Sequence, residues 1–208
     1  MSGGFLTGAG SGLFMELGVS SLNKHDETLC GDWYTFDRRE DLSTLVLSDG
    51  LGSGVKANIL STLTATILGT MMASRMTIEE CVSTMARTLP VCRERHLAYA
   101  TFTILQIDHR TNTAYLAQYD NPSAILLRGG AHADYPVTGR TVGEKTVLES
   151  RIPLQAEDML VLCTDGVTNA GLGKTMVNGW PRSEVIRYLE TTCLPVSHSP
   201  QQVAAGLV

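Results

Sequence analysis

Leu45-Val46-Leu47-Ser48-Asp49-Gly50-Leu51-Gly52-Ser53-Gly54 is the stretch on which the reading of this chain turns. A compact apolar run from Leu42 to Leu47 reads as a strand, glycines at 50, 52 and 54 break it, and apolar side chains then recur at helical spacing from Val55 to Met72. An acidic side chain therefore stands where a strand gives way to a helix. The same layout returns in Leu160-Val161-Leu162-Cys163-Thr164-Asp165-Gly166, again an apolar strand that delivers an Asp-Gly pair at its end. A carboxylate at a strand terminus is held by a rigid element, and the glycine after it lets the backbone turn so that its own carbonyl can also face a cation. Asp32, preceded by the small Gly31 at the entry to a strand over Trp33–Phe36, is a third candidate. One Asp-Gly pair is more often a plain turn; three acidic positions of this kind are a stronger signal. Carboxylates about 4 Å apart repel by roughly 4 kcal/mol per pair at an effective dielectric near 20, so such a cluster requires cations or protons. Hard cations such as Mg2+ and Mn2+ take oxygen ligands of this type.

Outward from these turns, Leu13 to Ser21 reads as a further strand and Ile78 to Leu89 as a second helix, with Thr77 as its N-cap and Glu79 and Glu80 in the first turn, where the helix dipole favours negative charge. After Pro90 the pattern changes to short strands: Tyr99–Ile107, Thr113–Tyr119, Ala124–Arg128, Thr146–Ile152 and Met159–Cys163, separated by turns such as Asp120-Asn121-Pro122 and Gly129-Gly130. Strands joined by turns this short cannot be parallel neighbours, because parallel pairing needs a crossover of about a dozen residues. The sheet is therefore expected to be largely antiparallel in an α+β chain. Helical pattern resumes at Arg182–Thr192, and Pro200 starts a last helix.

The 208 residues fit one domain with a sizeable core, and 43% hydrophobic against 18% charged residues is ordinary for a folded protein. A net charge of −5 without a dense Lys/Arg block argues against nucleic acid as a partner. The longest apolar stretch, Ile59 to Met76, is interrupted by Ser, Thr, Gly and Arg and reads as a buried helix, so no membrane span is expected. Residues 1–12 are glycine-rich, lack a secretory signal and read as a flexible lead-in to a domain over 13–208. Cys30, Cys81, Cys92, Cys163 and Cys193 are odd in number and scattered, which fits reduced thiols of a cytoplasmic protein. His25, His96, His109, His132 and His198 show no zinc spacing and read as surface or loop residues; Arg93 and Arg95 beside a turn receive no role.

Taken together, Cys30-Gly31-Asp32-Trp33-Tyr34-Thr35-Phe36, Leu47-Ser48-Asp49-Gly50-Leu51-Gly52-Ser53-Gly54 and Thr164-Asp165-Gly166-Val167-Thr168 resemble the motifs of the PPM phosphatases, of protein phosphatase 2C type, and are most similar to the bacterial branch typified by stage II sporulation protein E. The resemblance runs in order from about Leu13 to Val208. It implies an α-β-β-α sandwich of two antiparallel sheets flanked by helices, and a protein serine/threonine phosphatase in which Asp32, Asp49 and Asp165, with the Gly50 carbonyl, hold two Mn2+ or Mg2+ ions. Asp49 would bridge the two ions, and Asp120, in Tyr119-Asp120-Asn121-Pro122-Ser123, matches the place of a weaker third. It also implies a phosphorylated regulatory protein, such as an anti-sigma-factor antagonist, as substrate. A water between two cations about 3.5–4 Å apart would attack phosphorus in line, with no covalent phosphoenzyme. One departure stands out: the acidic pair that family members carry on a last strand is not reached before Val208, so the domain is expected to be cut short at its C-terminal end.

Three other readings compete. A phosphatase-like domain that only binds a partner is kept open by that missing carboxylate. A dinucleotide loop is suggested by strand, glycines and helix, but the spacing is GxGxG and Asp49 would point charge at a pyrophosphate. A cysteine phosphatase signature, Cys-x5-Arg, occurs from Cys81 to Arg87, yet it lies within an expected helix beside Glu80 and without a glycine cradle.

Overall fold

The computed structural model describes residues 13–24, 27–88, 100–142, 145–173, 176–193 and 199–208; His25, Cys92, Arg93, Arg95, His96, His198 and the expected lead-in lie outside them. Strands β1 (Asp32–Arg38) and β2 (Leu42–Gly50) lead into helices α1 (Gly54–Ala73) and α2 (Ile78–Thr88). Then come β3 (Ala100–Asp108), β4 (Thr113–Tyr119), β5 (Ile125–Arg128), β6 (Ala131–Ala133), β7 (Thr138–Val142), β8 (Lys145–Pro153) and β9 (Met159–Val161). The helices α3 (Asp165–Thr168), α4 (Arg182–Tyr188), which runs on into a π-helical turn (Leu189–Cys193), and α5 (Pro200–Gly206) complete the order. Six strands form one sheet in the order β1-β2-β3-β4-β8-β7, and three form a second in the order β6-β5-β9. Every ladder is antiparallel, as the short turns require.

Alternation along the strands builds three apolar layers. Val46, Ile104, Ala117 and Val147 face α1 and α2, where they meet Ala65, Leu68, Met72 and Cys81. On the opposite face Leu45, Leu105, Leu116 and Ile152 meet Ala124 and Leu126 of the second sheet. The other side of that sheet, through Ile125, Leu127 and Val161, packs on Val185, Leu189, Val203 and Leu207 of the C-terminal helices. This is an α-β-β-α sandwich, and each fully buried Leu or Val in it contributes roughly 1.5–3 kcal/mol of burial.

Local chemistry accounts for the element ends. Thr77 and Glu80 form the reciprocal bonds of a capping box at α2, and Ser199 with Gln202 does the same at α5. Gly129 and Gly130, at φ 58° and 85°, make the tight turn between β5 and β6. Two expectations need correction. Leu13–Ser21 pairs with no strand among the described residues; its backbone is held instead by side chains, Val19 N–H donating to Gln201 Oε1 (3.0 Å) and Val19 C=O accepting from Gln201 Nε2 (2.8 Å). The strand expected through Cys163 ends at Val161, and Asp165 opens α3 rather than closing a strand. The strands β6 and β7 went unread because three residues, and a five-residue run holding Gly139 and Arg140, give too little alternation to register.

Gly50 is required for space rather than for turning: it lies within β2, and a Cβ there would overlap the Ala57 carbonyl of α1. Gly50→Ala is expected to lower stability by about 1–3 kcal/mol in urea unfolding. Gly139→Ala in β7, where a Cβ meets only Thr146 at 3.4 Å, should stay within about 0.5 kcal/mol of wild type. Equal midpoints for the two variants would contradict the close approach of α1 to β2.

Candidate functional site

The ladder between β1 and β2 sets Asp32 directly opposite Asp49, and that between β2 and β3 sets Thr101 opposite Asp49 on its other side. Directly opposed residues share a face, with Cβ atoms about 4.5–5.5 Å apart. Asp49 is in step with Leu45, which packs toward the second sheet, so the row Asp32–Asp49–Thr101 lines the inner face at one end of the sandwich. Asp165 arrives from the second sheet, four residues beyond β9 at the first position of α3. The buried Thr164 just before it donates from Oγ1 to Asp32 Oδ2 at 2.8 Å. One sheet supplies two carboxylates, the other supplies the third, and a hydroxyl ties them.

The electrostatics carry the mark of that crowding. Burial pushes the Asp49 carboxyl up to about 8, with the charges of Asp32 and Asp165 and hydrogen bonds to both adding to the effect. Asp32 is also raised, first by burial and then by Asp165, against the lowering effect of its bonds to Thr164 and Asp49. The Cys30 thiol, two residues before Asp32, is raised by burial and by the same two aspartates.

Close packing holds the approach to β1 and β2. Gly50 N–H donates to Gly31 C=O at 3.1 Å, and Asn58 Nδ2 of α1 donates to Cys30 C=O at 2.8 Å. Ser53 Oγ donates to Glu27 Oε1 at 2.8 Å, and the Glu27 carboxylate lies where a Cβ on Gly54 (φ 66°) would sit. A carboxylate thus occupies the N-terminus of α1, the place a pyrophosphate would take in a dinucleotide loop, which removes that reading. The cysteine phosphatase reading falls as well: Cys81 is buried in α2, and burial first, then Glu80, holds its thiol up at about 11.

Asp120 is exposed, in a left-handed turn (φ 53°) one residue beyond the Tyr119 end of β4. His109 lies in the turn after β3, in keeping with a loop position, and its Nε2 is 2.8 Å from Oγ of the buried Ser43 at the far end of β2. Cys30, Cys81 and Cys163 are free thiols, as expected. Sequence reasoning missed Thr164, Thr101 and Glu27. Thr164 stood beside Asp165 in a quoted motif, but only the fold shows that its hydroxyl serves Asp32 rather than its neighbour.

The donor set suits hard cations, being carboxylate oxygens crowded enough to hold a proton near pH 8 when nothing else neutralises them. Among the described residues no group of three or more His, Cys, Asp or Glu stands disposed to hold a metal ion. A magnesium-type ion needs none, since one or two carboxylates hold it and water fills the remaining positions. Asp49 is raised from 3.8 to about 8, so its contribution to the stability of the metal-free protein is fully present below pH 3.8 and is lost as pH rises through about 8. Asp49→Asn, which keeps the shape of the protonated group, should therefore melt progressively higher than wild type as the pH is raised from 5 to 8, both in EDTA. A Tm difference that shrinks over that range would contradict the crowding.

The helices, two sheets and site placement above can be set against known proteins. A search of the curated proteins returned no match. Among solved structures, the chain is similar to the PP2C phosphatase domain and regulatory-domain fragment of the cell fate determinant SpoIIE from Bacillus subtilis, with TM-score 0.71 and 18% identity over 91% of this chain and 54% of that one. It is similar to the RsbU and RsbW domains of a Mycobacterium tuberculosis protein, with TM-score 0.65 and 18% identity over 82% of this chain and 48% of that one. RsbX in complex with magnesium gives TM-score 0.63 and 17% identity over 89% of this chain and 82% of that one. The chain spans about half the length of the first two. At these identities the likeness is one of fold. Among the described residues no helix is long and apolar enough to cross a membrane. The profile of the stage II sporulation protein E (SpoIIE) family matches residues 40–208, and the chain belongs to that family.

Proposed function

We propose that this chain is the metal-dependent phosphatase domain of a protein that removes phosphate from phosphoserine or phosphothreonine on a regulatory protein. The observation that carries this reading is the meeting of three aspartates: Asp32 faces Asp49 across a ladder, Thr164 ties Asp32 to the segment that brings Asp165, and burial with this crowding pushes the Asp49 carboxyl up to about 8. When bound, two Mn2+ or Mg2+ ions would supply Lewis acidity toward the phosphoryl oxygens and a water acidified enough to act as nucleophile.

The chain's own residues prepare that chemistry. Asp49, central in the row and with its carboxyl pushed up to about 8, would exchange its proton for the ions. Thr164 donates to Oδ2 of Asp32, which fixes the orientation of that carboxylate beside Asp49. Gly50 lies tight against Ala57, so the backbone beside Asp49 has a single path and its carbonyl a fixed position. Leu51, Gly52 and Ser53 stand exposed on the rim, which leaves room for a phosphate carried on a protein surface. The regulatory protein as substrate is supported by fold likeness to the SpoIIE cell fate determinant and to the RsbU and RsbX domains; an anti-sigma-factor antagonist is the specific candidate, in the cytoplasm.

A second reading, a non-catalytic binding module of the same fold, has one observation in its favour: among the described residues no group of three or more His, Cys, Asp or Glu stands disposed to hold a metal ion. Turnover separates the two. With the protein at its full natural length and Mn2+ present, hydrolysis of an aryl phosphate and of phosphoserine peptides is expected, and Asp49→Asn or Asp165→Asn should each lower kcat/KM by about 100-fold or more. Thr164→Val should weaken Mn2+ binding by about 10- to 100-fold. Wild-type protein that binds Mn2+ yet hydrolyses nothing favours the binding module, and unchanged turnover in both aspartate variants removes the site.

A further inference from the structure

We infer that Asn121, rather than the neighbouring Asp120, is the positioning residue of the carboxylate site, because its amide holds Thr101 in place beside Asp49. This rests on the metal-dependent reading of that site.

Thr101 is the next residue in the row after Asp32 and Asp49, on the same inner face. Its hydroxyl donates to Asn121 Oδ1, while Asn121 Nδ2 donates to Oγ1 of the buried Thr103 at 3.1 Å. One planar amide thus bridges two alternate residues of β3. A threonine hydroxyl has a single proton, and Thr101 spends it on Asn121, so toward Asp49 it offers lone pairs only. The row then presents acceptors throughout: the Asp32 and Asp49 carboxylates and the Thr101 hydroxyl. Such a row suits a cation and the hydrogens of the water that a cation carries.

The loop that carries Asn121 is fastened well beyond the needs of a surface turn. Gln118, buried in β4, donates through Nε2 to Pro122 C=O (3.0 Å) and accepts through Oε1 from Ala124 N–H (3.2 Å). Arg182, the first residue of α4, donates through Nε to Ser123 C=O (3.2 Å) and through Nη2 to Ala124 C=O (3.0 Å). The Tyr135 hydroxyl donates to that same Ala124 C=O at 2.7 Å. Side chains from three separate parts of the chain therefore hold residues 122–124. With Asp120 exposed at positive φ, the bracket aims Asn121 at Thr101 and Thr103 of β3. An Asp at 120 in a DNP turn was legible as a turn; that the next side chain does the positioning is visible only in the fold.

The test is Mn2+ binding to the full-length protein by calorimetry, with melting in EDTA as a second readout. Asn121→Leu and Thr101→Val should each raise the Kd for Mn2+ about 10-fold. The double variant should be no worse than either single one, because both remove one coupled unit. Thr101→Ser, which keeps the hydroxyl, should bind as wild type. A purely structural role would lower the EDTA melting temperature and leave the Kd in place. If Asn121→Leu does not fold, the isosteric Thr101→Val with its Ser rescue decides alone. Kd values within twofold of wild type, or single effects that multiply in the double variant, overturn the inference while leaving the metal site standing. An Asp49→Asn variant that binds Mn2+ as tightly as wild type overturns the metal reading itself, and this inference with it.

Discussion

Mutual repulsion among Asp32, Asp49 and Asp165 is the constraint around which the chain is organised. Like charges in partial burial are costly unless something compensates them, and here the ladder register leaves no escape: Asp32 and Asp49 are cross-strand partners, and Thr164 fastens Asp32 to the segment that brings Asp165. In the absence of cations the response is protonic, with Asp49 held up at about 8. Crowded carboxylates of this kind are compensated by protons or by cations, and until they are compensated they lower the stability of the fold that holds them, the usual situation at functional centres.

The rest of the fold bears that cost. Apolar layers on both faces of the six-stranded sheet and on the outer face of the three-stranded sheet fix the strands that carry the aspartates. Tight contacts act closer in. Gly50 admits Ala57 of α1 against β2, Asn58 reaches the Cys30 carbonyl, and the Glu27 carboxylate occupies the entrance to α1. Each of these removes freedom from the residues flanking an aspartate, which is how a carboxylate on the end of a strand keeps a position suited to metal chemistry.

Much of this was legible in the residues. The apolar runs and glycines around Asp49 fixed strand, turn and helix, and the short connections after Pro90 fixed antiparallel pairing, because those signals are local. The three aspartates were also legible as candidates, since each stands at a change of element. What could not be read was long-range. Leu13–Ser21 has the composition of a strand, but Gln201 side-chain bonds take the place of a ladder. Gly50 was read as a hinge and proves to be a point of close approach. The partner of Thr164 lies 132 residues away, and the neighbour of Asp49 across β3 depends on a register no local pattern encodes. Membership in the SpoIIE family agrees with the resemblance the motifs carry.

Proton release on metal binding tests the central claim most directly. Calorimetric titration of Mn2+ at pH 7 in buffers of differing ionisation enthalpy counts the protons displaced as the cluster loads. With the Asp49 carboxyl pushed up to about 8, its share of the protons released should be about one per site at pH 7 and should fall toward zero above about pH 9 as Asp49 ionises unaided. Mn2+ binding without proton release at pH 7, or no Mn2+ binding at any pH between 6 and 9, would contradict the account.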